Sequence, residues 1–553
     1  MNRLYTVYFL EDGDRLRIDY SPQPSLDAAY LRAEGALLSS PLPAWAASSL
    51  VKCLRGGLFG PPRNPKHLAM RADRWLRQRG FSPPLGDRRL RPGTIPQPLE
   101  QSEATIAGRL LLPTEAARAL GRPCEEDLHL LYLMGRCDRR PGIDSDGCVR
   151  CGSQEVQRDY CPLCLREDCG RCPDCSSMGE IRSCRLLYFA PLRERGDPCQ
   201  IQPIFPGELT LAQERASLQL KDVLYSSREA LIWAVCGAGK TEVAFPAIAD
   251  ALARGQRVLF SVPRREVVIE LEPRLKKAFP GLPLSVFYGG RGEWGPLGPL
   301  VLATTHQTLR FYRAFDLAIL DESDAYPYRG SRLLPRALKR SLKEEGRLVY
   351  MTATPSPALH RRARWGRIPL IAIPARYHGH PVPEPKLLAR PMSHTPLRLP
   401  PICWEIIHMT RQQGFPLFIF VPTVALSEAV GSHLSSQLGS QVDYTHARDP
   451  KRSEKRALFA QQGGILVTTT LLERGITVPC ADVLVLFAHH PVFDAGTLVQ
   501  MAGRSGRSIQ RPWGDVYFLG RRVTAEMRRA RHMIREMNRL ARAGGYLNEE
   551  RSS

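Results

Sequence analysis

The segment Trp233-Ala-Val-Cys-Gly237-Ala238-Gly239-Lys240-Thr241-Glu242 carries the residue types that grip a nucleoside triphosphate. It follows a short apolar run and opens a helix-like pattern, the context a phosphate-binding loop requires. Gly237 and Gly239, with Ala238 between them, let backbone N–H groups approach phosphates closely, and the new helix's N-terminus adds positive potential. Lys240 suits the β and γ phosphates, Thr241 suits Mg²⁺, and Glu242 follows on the same turn. The first glycine of the broad motif is Ala234 here. Ala318-Ile-Leu-Asp321-Glu322-Ser-Asp324 lies 81 residues beyond Lys240 and reads as an apolar strand ending in carboxylates. Asp321 suits a Mg²⁺ ligand, and Glu322 suits positioning or deprotonating a water. In the third element, Gln500-Met-Ala-Gly503-Arg504-Ser-Gly506-Arg507, two arginines can reach a γ-phosphate. Such an arginine neutralises transition-state charge and is worth about 10³ to 10⁵ in rate. Singly, these are a chance Gly-Lys-Thr, strand-closing acids and a basic turn. Together they predict a site that hydrolyses a nucleoside triphosphate with Mg²⁺.

A second chemistry belongs to the cysteines. Eight of the 15 fall between Cys148 and Cys184. In a long chain such crowding points to metal rather than to disulfides. Cys148-x2-Cys151 and Cys172-x2-Cys175 have zinc-ribbon spacing, and four protein thiolates make a structural Zn²⁺ site. Cys161-x2-Cys164, Cys169 and Cys184 are extra. Cys161 and Cys164 can replace the second pair or join Cys169 at a second metal, and spacing leaves one ion or two open.

Elements must position these groups. From Leu209 onward, short apolar runs alternate with helical segments: 230–235, 257–262, 300–304, 317–320 and 348–352. After a Pro-rich stretch at 381–385 the pattern resumes at 417–421, 464–469, 483–487 and 516–519. Near-continuous apolar strands with intervening helices mean parallel sheets covered on both faces. The expected fold is therefore α/β, with two parallel-sheet lobes. The expected divisions are an unassigned N-terminal region (1–140), a zinc module (141–200), an ATP-binding lobe (201–384), a second lobe (385–545) and a polar tail (546–553). Val523, Met527, Ala530, Ile534, Met537 and Ala541 have the spacing of a capping helix with a basic outer face. Residues 1–140 carry no recognisable chemistry beyond a helix-like run at 114–120.

The 553 residues carry a net charge of +22 and a pI near 9.6, which favours polyanionic partners such as nucleic acid. No apolar run approaches the roughly 20 residues a spanning helix needs. The start, Tyr5-Thr-Val-Tyr-Phe-Leu10, turns acidic and lacks a leader pattern. A cytoplasmic protein without a transmembrane segment is expected.

The motif order resembles superfamily 2 helicases and translocases, which have two RecA-like lobes with ATP between them. The resemblance implies further assignments. Leu209-Thr-Leu-Ala-Gln213 is similar to the segment whose glutamine contacts adenine. Pro263-Arg264 and Ala303-Thr304-Thr305-His-Gln307 resemble strand-contacting motifs, making Arg264, Thr304 and Thr305 DNA ligands. Met351-Thr-Ala-Thr-Pro355 resembles the coupling motif. Thr468-Thr469-Thr470 through Arg474-Gly475 resembles the motif touching DNA through Thr469 and nucleotide through Gly475. Within the superfamily, residues 304–312, 321–328, 469–477 and 498–507 resemble the ComFA family of competence helicases. So does the zinc segment, whose Cys172-Pro-Asp-Cys175-Ser-Ser-Met-Gly favours Cys148, Cys151, Cys172 and Cys175 as the Zn²⁺ ligands. Membership implies a motor that helps draw single-stranded transforming DNA through a membrane channel. It also implies other competence proteins as partners and peripheral attachment at the inner membrane face. A PriA-like primosomal helicase is the nearest rival, but that family carries its cysteines inside the second lobe, and none lies between Phe420 and Leu466 here. A non-hydrolysing DNA adaptor is disfavoured by the intact set Lys240, Thr241, Asp321, Glu322, Arg504 and Arg507. A DEAD-box RNA helicase is disfavoured by Ser323.

Overall fold

In the computed structural model the described residues are 5–12, 15–55, 64–84, 88–90, 99–192, 195–291, 295–446, 448–469 and 478–548. The first motor lobe is a seven-stranded, all-parallel sheet. Its strands are β1 (Glu229–Ala234), β2 (Val258–Val262), β3 (Leu284–Phe287), β4 (Leu300–Thr304), β5 (Phe315–Leu320), β6 (Leu342–Thr352) and β7 (Leu370–Ile373), in the order β3-β4-β2-β5-β6-β1-β7. The interior strands β2 and β4 are buried along their whole length. That explains why they read as continuous apolar runs: helices cover both faces. β5, β6 and β1 are neighbours, so the segments leaving their carboxyl ends converge. This brings Lys240, Asp321 and Thr352 together from distant parts of the chain.

The second lobe repeats the plan with six parallel strands: β8 (Lys386–Ala389), β9 (Leu417–Phe420), β10 (Val442–Thr445), β11 (Ile465–Thr468), β12 (Asp482–Leu486) and β13 (Val516–Gly520), in the order β8-β13-β12-β9-β11-β10. The expected α/β architecture of two RecA-like lobes is what the chain forms. A connector (374–385) joins the lobes. Its Val382 is held at both backbone groups by the buried Asn538 amide, with Oδ1 accepting and Nδ2 donating at 2.9 Å each. Asn538 lies on the C-terminal helix Ala525–Ala543, whose Met527, Ala530, Ile534, Met537 and Ala541 enter the core at the spacing read from the sequence.

Ahead of the motor, Thr6–Asp12 is the centre of a three-stranded antiparallel sheet backed by the helix Ala44–Arg55. A second small sheet joins both sides of position 140, with Leu186–Ala190 pairing to Arg109–Leu111 and to Asp138–Pro141. Side chains of a strand alternate between faces. Leu186, Tyr188 and Ala190 accordingly enter the N-terminal core, while Leu187 and Phe189 enter the core shared with the first lobe. This strand ties the front of the chain to the motor. Among the described residues no helix is long and apolar enough to cross a membrane.

Candidate active site

The loop after β1 turns through Gly237 and Gly239, both with positive φ, and runs into the helix Lys240–Val243. A Cβ at Gly239 would lie 2.3 Å from Gln213 Nε2, so only glycine permits this approach. Gln213 sits in the first turn of the helix Leu211–Ser226. Its Oε1 accepts from Thr210 N at 2.8 Å, and its Nε2 donates to Ala238 O at 2.8 Å. The glutamine expected at adenine thus braces the phosphate loop itself.

Lys240 Nζ lies 2.7 Å from Asp321 Oδ1. Burial alone would lower the ammonium's pKa. The carboxylates of Asp321, Glu322 and Asp324 outweigh that and hold it above its ordinary value. Lys240 therefore stays charged beside Asp321, whose carboxyl burial pushes up in spite of the ammonium's opposing charge. Glu322 follows with φ +53, a left-handed conformation that costs a non-glycine residue about 1 kcal/mol, and its N–H donates to Asp321 Oδ1 at 2.6 Å. Strain of this kind is held in place where a side chain must be aimed, here into the cleft. Thr241 lines the same cleft, and its hydroxyl with the Asp321 carboxylate forms the hard-oxygen set that Mg²⁺ prefers. Glu242 lines it too, but its carboxylate pairs with Arg274 of the helix Arg265–Ala278.

Opposite stands the second lobe. Gln500 belongs to the helix Ala495–Ala502, and the following turn carries Arg504 and Arg507 into the cleft, which encloses about 340 Å³. That volume falls within the usual range of small-ligand sites. A Cβ at Gly503 would lie 2.5 Å from Cys236 Cβ, so glycine there allows the arginine turn to reach the phosphate loop. Arg507 Nε donates to Gly503 O at 2.8 Å, which fixes the turn internally.

Two connections cross the cleft. Asp324 accepts from Thr352 Oγ1 at 2.6 Å, from Thr354 Oγ1, and from Gln500 Nε2 at 3.3 Å. It therefore joins the loop after β6 to the second lobe. Arg376, on the connector and fully buried, donates to Cys236 O at 3.0 Å, Ser505 O at 2.7 Å, Gly503 O at 3.2 Å and to Gly506 O. One guanidinium spans the phosphate loop and the arginine turn. Arg376 was not singled out by type or spacing, because its partners are main-chain carbonyls far away in sequence, whereas Asp324 and its three partners all lie within the quoted motifs.

The expected DNA ligands are spread over both lobes. Arg264 is half-buried and precedes the helix Arg265–Ala278, whereas Thr304, Thr305 and Thr469 are buried at the ends of β4 and β11. Gly475 lies outside the described residues.

Cys148, Cys151, Cys172 and Cys175 come together with all four sulfurs within 4.8 Å of one another. Cys148 Sγ to Cys175 Sγ is 3.7 Å and Cys151 Sγ to Cys172 Sγ is 3.5 Å. Four ligands at about 2.3 Å around a tetrahedral ion stand about 3.8 Å apart, so the set fits a metal, whereas a disulfide at about 2.05 Å is far shorter. This group faces the first lobe: Arg336 donates to Gly152 O at 3.0 Å and Arg310 to Met178 O at 3.0 Å. The four remaining cysteines gather separately.

A nucleotide cleft built from the phosphate loop and carboxylates of one RecA-like lobe, and closed by arginines of the next, places the chain among ATP-hydrolysing superfamily 2 helicases. Comparison agrees: residues 211–361 match the DEAD/DEAH box helicase family and residues 400–508 the helicase conserved C-terminal domain. The competence protein ComFA of Bacillus subtilis is 38% identical over 404 residues, covering 71% of this chain and 86% of that protein. The ComFA of Streptococcus pneumoniae is 35% identical over 404 residues, covering 71% and 90%. Among solved structures, RecG bound to a three-way DNA junction matches 63% of this chain and 49% of that one at 21% identity, with a TM-score of 0.43. This chain belongs to the ComFA family.

Proposed function

We propose that the chain is an ATP-driven translocase on single-stranded DNA that serves DNA uptake during bacterial competence. The observation that carries this reading is the two-lobe nucleotide cleft in a chain whose ComFA relatives are matched over nearly their whole length. Lys240 and the backbone amides around Gly237 and Gly239 bind the triphosphate. Thr241 and Asp321 would hold Mg²⁺, which would supply charge neutralisation on the phosphate oxygens. Glu322 orients the attacking water and takes its proton. Arg504 and Arg507 reach the γ-phosphate from the second lobe, so hydrolysis requires the lobes to be closed. Asp324 and Arg376 tie the first lobe to the second at that closure. Arg264, Thr304, Thr305 and Thr469 belong to the segments that meet the DNA backbone, which positions a strand without reading its bases. Cys148, Cys151, Cys172 and Cys175 hold a structural Zn²⁺. The partners are single-stranded DNA, other competence proteins and the membrane channel, met at the cytoplasmic face.

The test separates uptake from replication restart. Deleting the gene should leave growth and survival of DNA damage near normal and cut transformation by chromosomal DNA severely. A deletion strain that transforms normally but grows poorly or dies after fork damage would make the primosomal reading right.

A further inference from the structure

The hairpin formed by Gln157–Cys161 and Arg166–Arg171 is held by its ladder and by surface ion pairs such as Arg171 to Asp159, with almost no apolar core. Along its two strands the buried residues are Cys161, Cys169 and Gly170. Its core consists of Cys161, Cys169 and Cys184, with Leu163 and Cys164 partly buried against them. A segment with so little apolar burial needs a staple.

The four sulfurs of Cys161, Cys164, Cys169 and Cys184 lie within 4.8 Å of one another, and Cys161 Sγ is 3.8 Å from Cys184 Sγ. That is the edge of about 3.8 Å expected for thiolates at about 2.3 Å from one tetrahedral ion. An iron–sulfur cluster spreads its cysteines over several irons, so this tight set suits a single ion.

An independent observation comes from the backbone. In the first tetrad, Gly152 follows Cys151 with φ +75, and its N–H donates to Cys148 O at 2.7 Å. In the second, Leu165 follows Cys164 with φ +57, and its N–H donates to Cys161 O at 2.8 Å. The two Cys-x2-Cys turns thus have one conformation. In the second the left-handed position is filled by leucine, which adopts it only when its surroundings impose it. Chelation by the flanking cysteines supplies that constraint.

The ligand sets also alternate along the chain, with Cys161, Cys164 and Cys169 falling between the two pairs of the first tetrad. They serve different neighbours. The first tetrad faces the motor, as described above. The second faces the N-terminal module: Trp45 N donates to Ser183 O at 3.1 Å, and the Arg166 guanidinium stands 4.9 Å from the Phe81 ring and 5.4 Å from the Trp45 ring. Cys184 lies two residues before the bridging strand Leu186–Ala190.

We propose that Cys161, Cys164, Cys169 and Cys184 bind a second, mononuclear metal ion that clamps the hairpin 157–171 to the N-terminal module. All-thiolate tetrahedral coordination selects zinc, with a lone iron ion as the chemical competitor. The two ions then divide the work, one fastening the cysteine segment to the motor and the other fastening it to the domain in front.

Metal analysis of the full chain, purified without chelator, tests this directly. Two zinc ions per chain are expected. The Cys161→Ser/Cys164→Ser variant and the Cys148→Ser/Cys151→Ser variant should each keep one. Only the former should become readily cleaved by trypsin after Arg166, because the ring contacts of that residue depend on the hairpin. If the variants are insoluble, zinc released from the wild-type chain by a mercurial still decides between one ion and two. One zinc per chain in the wild type, or two retained after Cys161→Ser/Cys164→Ser, would overturn the proposal. Iron in place of the second zinc would overturn its identity as zinc.

Discussion

Replacing Arg376 by methionine should cripple ATP turnover although the residue lies outside every helicase motif. Its guanidinium bonds four main-chain carbonyls, one in the phosphate loop and three in the arginine turn of the second lobe. Burial, followed by the charge of Arg507, lowers its pKa to about 10, so it remains protonated at neutral pH. Hydrogen bonds to a charged donor contribute about 1.5 to 3 kcal/mol each, but four around one group do not add. Leaving buried carbonyl acceptors unpaired costs about 1 to 3 kcal/mol. Three of the four partners belong to the second lobe, so most of that loss falls on lobe closure. At about 3 kcal/mol, with 1.36 kcal/mol per factor of ten, kcat should drop on the order of 100-fold. ATP affinity should fall less, because Lys240 and the loop amides remain. Arg376→Lys keeps the charge but not the planar fork and should recover little. Steady-state kinetics with a melting curve to verify folding would measure this, and X-ray scattering would report lobe separation. A folded Arg376→Met protein turning over ATP within threefold of wild type would refute the reasoning.

Arg504→Ala or Arg507→Ala should lower kcat far more than ATP affinity, since an arginine acting on transition-state charge shows itself in turnover; a defect confined to KM would make them binding residues only. DNA affinity should fall steeply with salt and vary little with sequence, each neutralised phosphate contributing about −0.7 to the slope of log K against log salt on a single strand. Fluorescence anisotropy across a salt series measures the slope, and a flat response would mean that stacking dominates.

The interior of both sheets was legible because strands covered on two faces must be apolar along their length. The expected run at 300–304 coincides with β4, that at 516–519 falls one residue short of β13, and that at 230–235 is shifted by one residue from β1. Leu284–Phe287, Lys386–Ala389 and Val442–Thr445 were missed, and all three are edge strands. An edge is covered less, so polar and apolar residues mix there, as in the half-exposed Leu387 and Leu388. The residues that line the nucleotide cleft were readable as a set because phosphate chemistry constrains both residue type and order. Arg376 was not, since the main-chain carbonyls it binds have no side-chain signature. Cys184 was hidden for a related reason: it joins its set by folding back across the hairpin, at no characteristic spacing. The Thr305 reading drew on resemblance, and the buried position of that side chain, 1% exposed, is a consequence of packing that no local pattern reveals.

The most direct test of the whole account is the steady-state ATPase rate of the purified chain against single-stranded DNA, duplex DNA and RNA, with Lys240→Ala alongside. Turnover should be strongly stimulated by single-stranded DNA, less by duplex and least by RNA, and should vanish in Lys240→Ala under every condition. A rate indifferent to all three polymers, or an undiminished rate in Lys240→Ala, would contradict it.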